Sequence, residues 1–470
     1  MYKEQIEAYF NDSNTQRALA DAVRRLVSIR SVRGDAAPGM PYGEGPARAL
    51  AEGLKLCEEL GFSTGEVDGY VGTADLNEKE TLLHILGHLD VVGEGTGWTS
   101  DPYDVVERDG LLIGRGVADD KGPVVAALFA MKCVKDLGIP LGHNVRLILG
   151  TDEESGSSDI AYYYSKHPYA PHAFTPDADF PLIHIEKGHY QPDFGRSWPS
   201  GHVLPRVSEL EGGFRVNVVP PEAKALVLGL GREQAQDLAD QVFAATGTAF
   251  TLTETADGLT IHCRGKNAHA ASPDDGNNAI AALLALLAQL PLAKCGSTDA
   301  IAAMHTLFPH GDNRGRALGI AQADAESGEL TLNLAIMNLT ETGFTAKFDV
   351  RFPLASTEEN CARAAEASFA RYGIAVTGSG HMTTVHCVSA DSPFVKTLLG
   401  CYETYTGAVN SKPLAIGGGT YVHDIPGGVA FGCVMPGFDP QMHGPDERVR
   451  IADLVTSGKI FAQAIAELCQ

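Results

Sequence analysis

The spacing of apolar positions changes along the chain. Leu19, Val23 and Leu26 recur at helical spacing, and a second helix runs from about Pro46 to Leu60, closed by Gly61. Short apolar runs at Leu82 to Leu86, Leu111 to Ile113 and Val145 to Leu149 predict buried strands, with a helix from Pro123 to Leu137 between the last two. Such alternation predicts an α/β layer around a mostly parallel sheet. From about residue 222 the pattern becomes β-α-β-β-α: "KALVLGL", a helix near Glu233 to Ala245, "FTLTET", "LTIHCRG" after a "DG" turn, and the helix "NNAIAALLALLAQL". "LTLNLAIMNL" and "TAKFDVRFPL" then alternate as half-buried strands, followed by a helix in "TEENCARAAEASFARYG" and the short strand "IAVTG". Helical and Gly-rich α/β features return after about residue 383. The simplest organisation is a discontinuous α/β domain, 1–188 plus 383–470, interrupted by an α+β domain at 189–382.

The chemistry gathers at strand ends. "LGHLDVVGEGTGW" places His88 and Asp90 two positions apart where an apolar run stops, so both face one side at the carboxyl end of a strand. Open α/β sheets bind their ligands there. An isolated His-x-Asp is more often a core-edge histidine satisfied by its neighbour, so partners are needed elsewhere. "GRGVADDKG" offers Asp119 and Asp120 after a strand, and "LILGTDEESG" offers Asp152, Glu153 and Glu154 at another strand exit. "FTPDADFP" adds Asp177, and "MPGFDPQMHGPDE" adds His443. Each has an ordinary alternative. Two aspartates before a helix commonly cap it, and consecutive acids commonly form a solvated loop unless a cation offsets their repulsion.

Composition narrows the function classes. At 470 residues, with 44% apolar and 20% charged residues, the chain is long enough for two or three domains with substantial cores. No stretch approaches the roughly 18 apolar residues of a membrane helix. A net charge of -23 disfavours nucleic acid and anionic membranes as partners. The 9 cysteines include no Cys-x-x-Cys pair, which argues against a disulfide framework and a thiolate zinc site. The polar, acidic N-terminal stretch does not read as a targeting signal, and the expected location is cytoplasmic.

Together, His88-Leu89-Asp90, Asp119-Asp120-Lys121-Gly122, Glu153-Glu154, Asp177 and His443 resemble, in order and spacing, the PepV-type dipeptidases. These are co-catalytic two-metal peptidases, a family that also includes carboxypeptidase G, the carnosinases and succinyl-diaminopimelate desuccinylase. "RVNVVPPEA" with Asn217, "GKNAHAASPDDG" with His269, "FDVRFP" with Arg351 and "AIGGGTYVHDIPGGVAFG" extend the resemblance over nearly the whole chain; His423 is not part of the set. The resemblance implies that His88 and Asp177 bind one metal, that Glu154 and His443 bind the other, and that Asp119 bridges both. Asp90 would orient His88, and Glu153 would be the general base. A cis peptide bond between Asp119 and Asp120 is also implied.

Imidazole and carboxylate ligands suit two divalent ions, zinc first and manganese or cobalt as alternatives. Arg351, with Phe348, Val350 and Phe352 on the opposite face, could grip a substrate carboxylate with two prongs unless it is engaged by Asp349. The amides of Gly417, Gly418 and Gly419 could line the same pocket as an anion-binding nest, and the resemblance gives His269 the role of oxyanion donor. The expectation is a monomeric metal-dependent dipeptidase with the middle domain as its lid, acting on short peptides with a free C-terminal carboxylate. The runner-up is an amidohydrolase for N-acyl amino acids. A binding or regulatory protein with a relict metal site is a third reading, disfavoured by the presence of Glu153.

Overall fold

In the computed structural model of the chain, which describes residues 2–378 and 380–470, the backbone divides into two compact units. The first comprises Met1–Ile185, His386–Leu414 and Gly419–Gln470; the second comprises Glu186–Val385 and Ala415–Gly418. Each has its own hydrophobic core.

The first unit is built on a mixed sheet. Its centre is parallel: Asn144–Gly150 and His172–Thr175 flank Thr81–His88, and Val429–Ala430 follows beside His172–Thr175. One margin, Ser63–Val67 and Val71–Asp75, is antiparallel, and on the other side Ile183–Glu186 pairs antiparallel with Val429–Ala430. The central strands are largely buried and, apart from His84 and Arg146, apolar in their interiors, as strands covered on two sides are. Because they run parallel, their carboxyl ends lie at one edge, and His88 stands opposite Gly150 in register.

The Leu111–Ile113 strand lies elsewhere. It is the centre of a small three-stranded sheet, between Val106–Arg108 and Arg448–Arg450. Asp119 therefore does not leave a strand directly, contrary to the sequence reading; it ends a loop that starts after Ile113. The pairing with Arg448–Arg450 brings that loop beside the C-terminal loop carrying His443.

Helix placement follows local sequence. Asp12 caps Ser13–Val27 by accepting the amides of Asn14 and Thr15. Lys121–Asp136 is buried along most of its length and packs on the C-terminal helix Ile451–Leu468. The second unit carries an antiparallel sheet whose central strands, Thr331–Thr340 and Gly343–Phe352, form a long hairpin. Helix Ala279–Leu287 is buried at all its positions. The helix Gly296–Leu307 and the strands Arg206–Gly212 and Asp193–Ser197 were not legible from periodicity.

Close packing makes one glycine critical. A Cβ built on Gly458, inside Ile451–Leu468, would meet the Phe10 ring at 2.5 and 2.7 Å, and Phe10 is fully buried. Gly458→Ala gains about 1 kcal/mol of helix propensity but overpacks the core by about 1–3 kcal/mol. A net loss of up to about 2 kcal/mol is expected, read as a lower urea midpoint at unchanged slope; a raised midpoint would contradict the packing argument.

Candidate metal centre

Three parallel strands deliver His88, the Thr151–Glu154 segment and Asp177 to one edge of the first unit's sheet. The small sheet delivers Asp119 and His443. Among the described residues the result is two groups of potential ligands: His88, Glu153 and Asp177, and Asp119, Glu154 and His443. Within each group the candidate ligand atoms lie within 4.8 Å of one another.

Asp119 joins the groups. Its Oδ1 lies 3.0 Å from His88 Nε2, and its Oδ2 lies 2.9 Å from His443 Nε2. Asp177 Oδ2 is 3.5 Å from His88 Nε2, and Glu154 Oε2 is 3.3 Å from His443 Nε2. Two ligand atoms on one tetrahedral ion, each bonded at about 2.0–2.1 Å, stand about 3.3 Å apart. The observed separations therefore match those of atoms sharing an ion, and Glu154 Oε1 is buried with no hydrogen-bond partner. The donor set fits two divalent cations.

The electrostatics agree. Burial opposes charge on His88, but Asp119, Asp177 and Asp90 outweigh it and hold the ring well above the usual histidine range. His443 is only partly buried, with its side chain 52% exposed; the burial it has opposes charge, and Asp119 and Glu154 raise the ring above the usual histidine range. Asp119, despite burial, is held below the usual carboxylate range by the two histidines. Glu153 is pushed well up by burial; His88 opposes, and Asp177, Glu154 and Asp119 reinforce the shift. Glu154 and Asp177 are raised by burial and by Asp119. So many carboxylates in one low-dielectric space ionise together only if cations or protons offset them.

The ligand-bearing backbone is held by anions. Asp90 Oδ1 and Oδ2 accept the amides of Glu153 and Glu154, each at 3.2 Å. His88 Nδ1 donates to the Asp90 backbone carbonyl at 3.0 Å, with the Asp90 carboxylate farther away at 3.4 Å. The carbonyl is thus the nearer orienting group, and the Asp90 carboxylate chiefly fixes the Glu153-Glu154 turn. Asp159 accepts the amides of Thr151 and Asp152 at 2.6 and 3.0 Å and the Tyr421 hydroxyl at 2.6 Å. Four consecutive amides are thereby held by two carboxylates. Asp120 does not cap the helix that follows it; its Oδ2 accepts the His88 backbone amide at 3.0 Å. The Asp119-Asp120 peptide bond is cis. Asp159 and Tyr421 were not singled out from sequence, because Asp159 belongs to no ligand-like spacing and Tyr421 acts on a residue 262 positions away.

The other nominated residues, apart from Gly419 in the first unit, lie in the second unit. His269 pairs with Val218, and the Ala270 amide donates to the Asn217 carbonyl, so Asn217 and His269 are neighbours on exposed loops. The Ala271 amide donates to His269 Nδ1 at 3.2 Å, which leaves the proton of the neutral ring on Nε2. Arg351 is buried and largely engaged: Nε and Nη2 donate to the two oxygens of Asp349 at 2.7 and 2.8 Å. Its Nη1 lies 2.8 Å from both the Gly417 carbonyl and His189 Nε2. The two-pronged face expected for a substrate is therefore taken by Asp349. None of Gly417, Gly418 and Gly419 has a left-handed φ, so the expected amide nest of alternating hand is not formed. Gly417 is needed for close approach, since a Cβ there would lie 2.9 Å from the Ala271 Cβ.

The comparisons with known proteins agree with this architecture. The profile of peptidase family M20/M25/M40 matches residues 84–467. The chain is 35% identical over 452 residues to "Putative dipeptidase YtjP" of Bacillus subtilis (strain 168), covering 95% of this chain and 96% of that one. A Staphylococcus haemolyticus protein, also named as a putative dipeptidase, is 30% identical over 478 residues, covering 100% and 99% of the two chains. In fold, the chain is similar to human carnosine dipeptidase 1, with a TM-score of 0.55 at 16% identity over 100% of this chain and 99% of that one. It is equally similar to aminopeptidase PepT from Bacillus cereus, with a TM-score of 0.55 at 16% identity over 97% and 99%. With the match spanning most of its length, the chain belongs to peptidase family M20/M25/M40.

Proposed function

We propose that this peptidase is a metal-dependent dipeptidase, hydrolysing short peptides, chiefly dipeptides, with a free C-terminal carboxylate. The observation that carries the reading is Asp119, whose two carboxylate oxygens are shared between His88 and His443. The names of the relatives support the substrate class. His88 and Asp177 would hold one ion and Glu154 and His443 the other, with Asp119 between them; zinc suits these donors, with manganese or cobalt as alternatives. When bound, two such ions polarise a scissile carbonyl and lower the pKa of water.

The protein's own groups do the rest. Glu153, a carboxyl pushed upward by its surroundings, takes a proton from the attacking water and returns it to the leaving amine. His269 donates its Nε2 proton to the developing oxyanion, and Asn217 stands beside it to bind substrate. Arg351 contributes its remaining Nη2 hydrogen and supports the Gly417 loop, rather than gripping the substrate carboxylate alone. The nine cysteines are free in the structure, which supports a reducing, cytoplasmic setting, and the reading carries with it a monomer. Among the described residues, no helix is long and apolar enough to cross a membrane.

The role of Glu153 is decided by metal content, because it lies as close to His88 and Asp177 as a ligand would. Glu153→Gln is expected to keep both ions and lose at least about 10²-fold in turnover, as for a general base. His443→Ala is expected to lose metal. The reverse pattern in elemental analysis would make Glu153 a ligand and remove its assignment as base.

His269→Ala should lower kcat and kcat/KM together by about 10²–10³-fold without changing metal content, as for an oxyanion donor. An unchanged kcat would exclude that contact. The substrate class is tested by comparing a free-amine dipeptide with its N-acetylated analogue. Preference for the acetylated compound would replace the dipeptidase reading with the N-acyl amino acid amidohydrolase. Arg351→Ala is a poor probe, since it would leave buried Asp349 without its partner.

A further inference from the structure

Arg115 and Glu447 form an ion pair whose side chains are 1% and 0% exposed, with Nη1 donating to Oε2 at 2.7 Å. Neither belongs to the ligand groups, yet their remaining contacts reach both loops that flank Asp119 and His443. Glu447 Oε1 accepts the amides of Gly116, Ala118 and Asp119 at 3.0, 2.9 and 3.2 Å. Arg115 Nη2 donates to the carbonyl of Gly444, the residue after His443, at 3.1 Å. The Gly114 amide donates to the Glu447 carbonyl at 2.9 Å, and the guanidinium lies over the Trp98 ring.

The His443 loop needs such a tie. Gln441, His443 and Asp446 all have left-handed φ values of 54 to 61°. Non-glycine residues held there are strained and persist only where surrounding contacts determine them. One charged pair meets this need while also fixing the backbone of the carboxylate shared by both histidines.

We infer that the Arg115–Glu447 pair positions Asp119 relative to His443, and so sets the affinity of the ion held by Asp119, Glu154 and His443. The inference rests on the two-metal reading above. Arg115 and Glu447 are positioning residues, since neither touches a ligand side chain. The ion on the His88 side shares Asp119 but depends less on the pair, because its other ligands, His88 and Asp177, are placed by strands of the main sheet and not by the His443 loop.

The test is zinc titration of the metal-free full chain against a chromophoric chelator, with the melting temperature of the metal-free chain measured alongside. The wild type should bind two zinc ions per chain. In Glu447→Gln, one of the two should weaken by about 10–100-fold, the range for losing a group that orients a ligand, while the other stays within a few-fold of wild type. Excess zinc should then restore kcat at unchanged KM, which general loss of structure would not allow. Arg115→Lys keeps the charge but cannot hold Glu447 and Gly444 together, so it should shift the same ion by a smaller factor. This second variant carries the test if Glu447→Gln does not fold.

Unchanged binding of both ions, or equal weakening of both, would overturn the inference. A wild-type stoichiometry below two would instead overturn the two-metal reading from which it follows.

Discussion

The site depends on holding one buried carboxylate, Asp119, with an oxygen toward each of two histidines. A carboxylate in a low-dielectric interior is costly unless donors and counter-charges surround it. Asp119 is also crowded by Asp177, Glu154 and Glu153, so its environment favours cations. The remaining structure of the first unit can be understood as what keeps this arrangement from relaxing.

It does so mainly with backbone amides. Asp90 and Asp159 together hold the four amides from Thr151 to Glu154, Asp120 holds that of His88, and Glu447 holds three in the loop leading to Asp119. An amide is a fixed dipole of no net charge, so it can satisfy a supporting carboxylate without competing for the ion. The carboxylates thus divide between those facing the candidate ion sites and those facing the backbone.

Two buried arginines repeat one device. Arg115 binds Glu447 and passes a second N–H to the Gly444 carbonyl; Arg351 binds Asp349 on two atoms and passes another N–H to the Gly417 carbonyl. In each case a neutralised guanidinium, whose planar fork offers several donors at fixed angles, ties a loop far away in sequence. This explains why Arg351, identified from its motif as a substrate contact, is so fully occupied within its own unit.

The sequence by itself determined many of the element types, though not the helix Gly296–Leu307 or the strands Arg206–Gly212 and Asp193–Ser197, and it supplied the chemical groups. Apolar periodicity located the buried strands ending near His88 and Gly150, and the residues at their exits, each with an ordinary alternative, pointed to oxygen and imidazole ligands only when taken together as a family resemblance. That legibility has a local cause: strand and helix patterns repeat over a few residues, and ligand motifs sit at their ends. Tertiary structure alone decided how distant segments meet. It placed Leu111–Ile113 in a separate small sheet, turned the Asp90 carboxylate toward the Glu153-Glu154 amides, engaged Arg351 with Asp349 and joined Arg115 to Glu447 across 332 positions. Such partnerships leave no periodic trace, because a hydrogen bond between remote residues is selected by packing of the whole unit rather than by the residues adjacent in the chain.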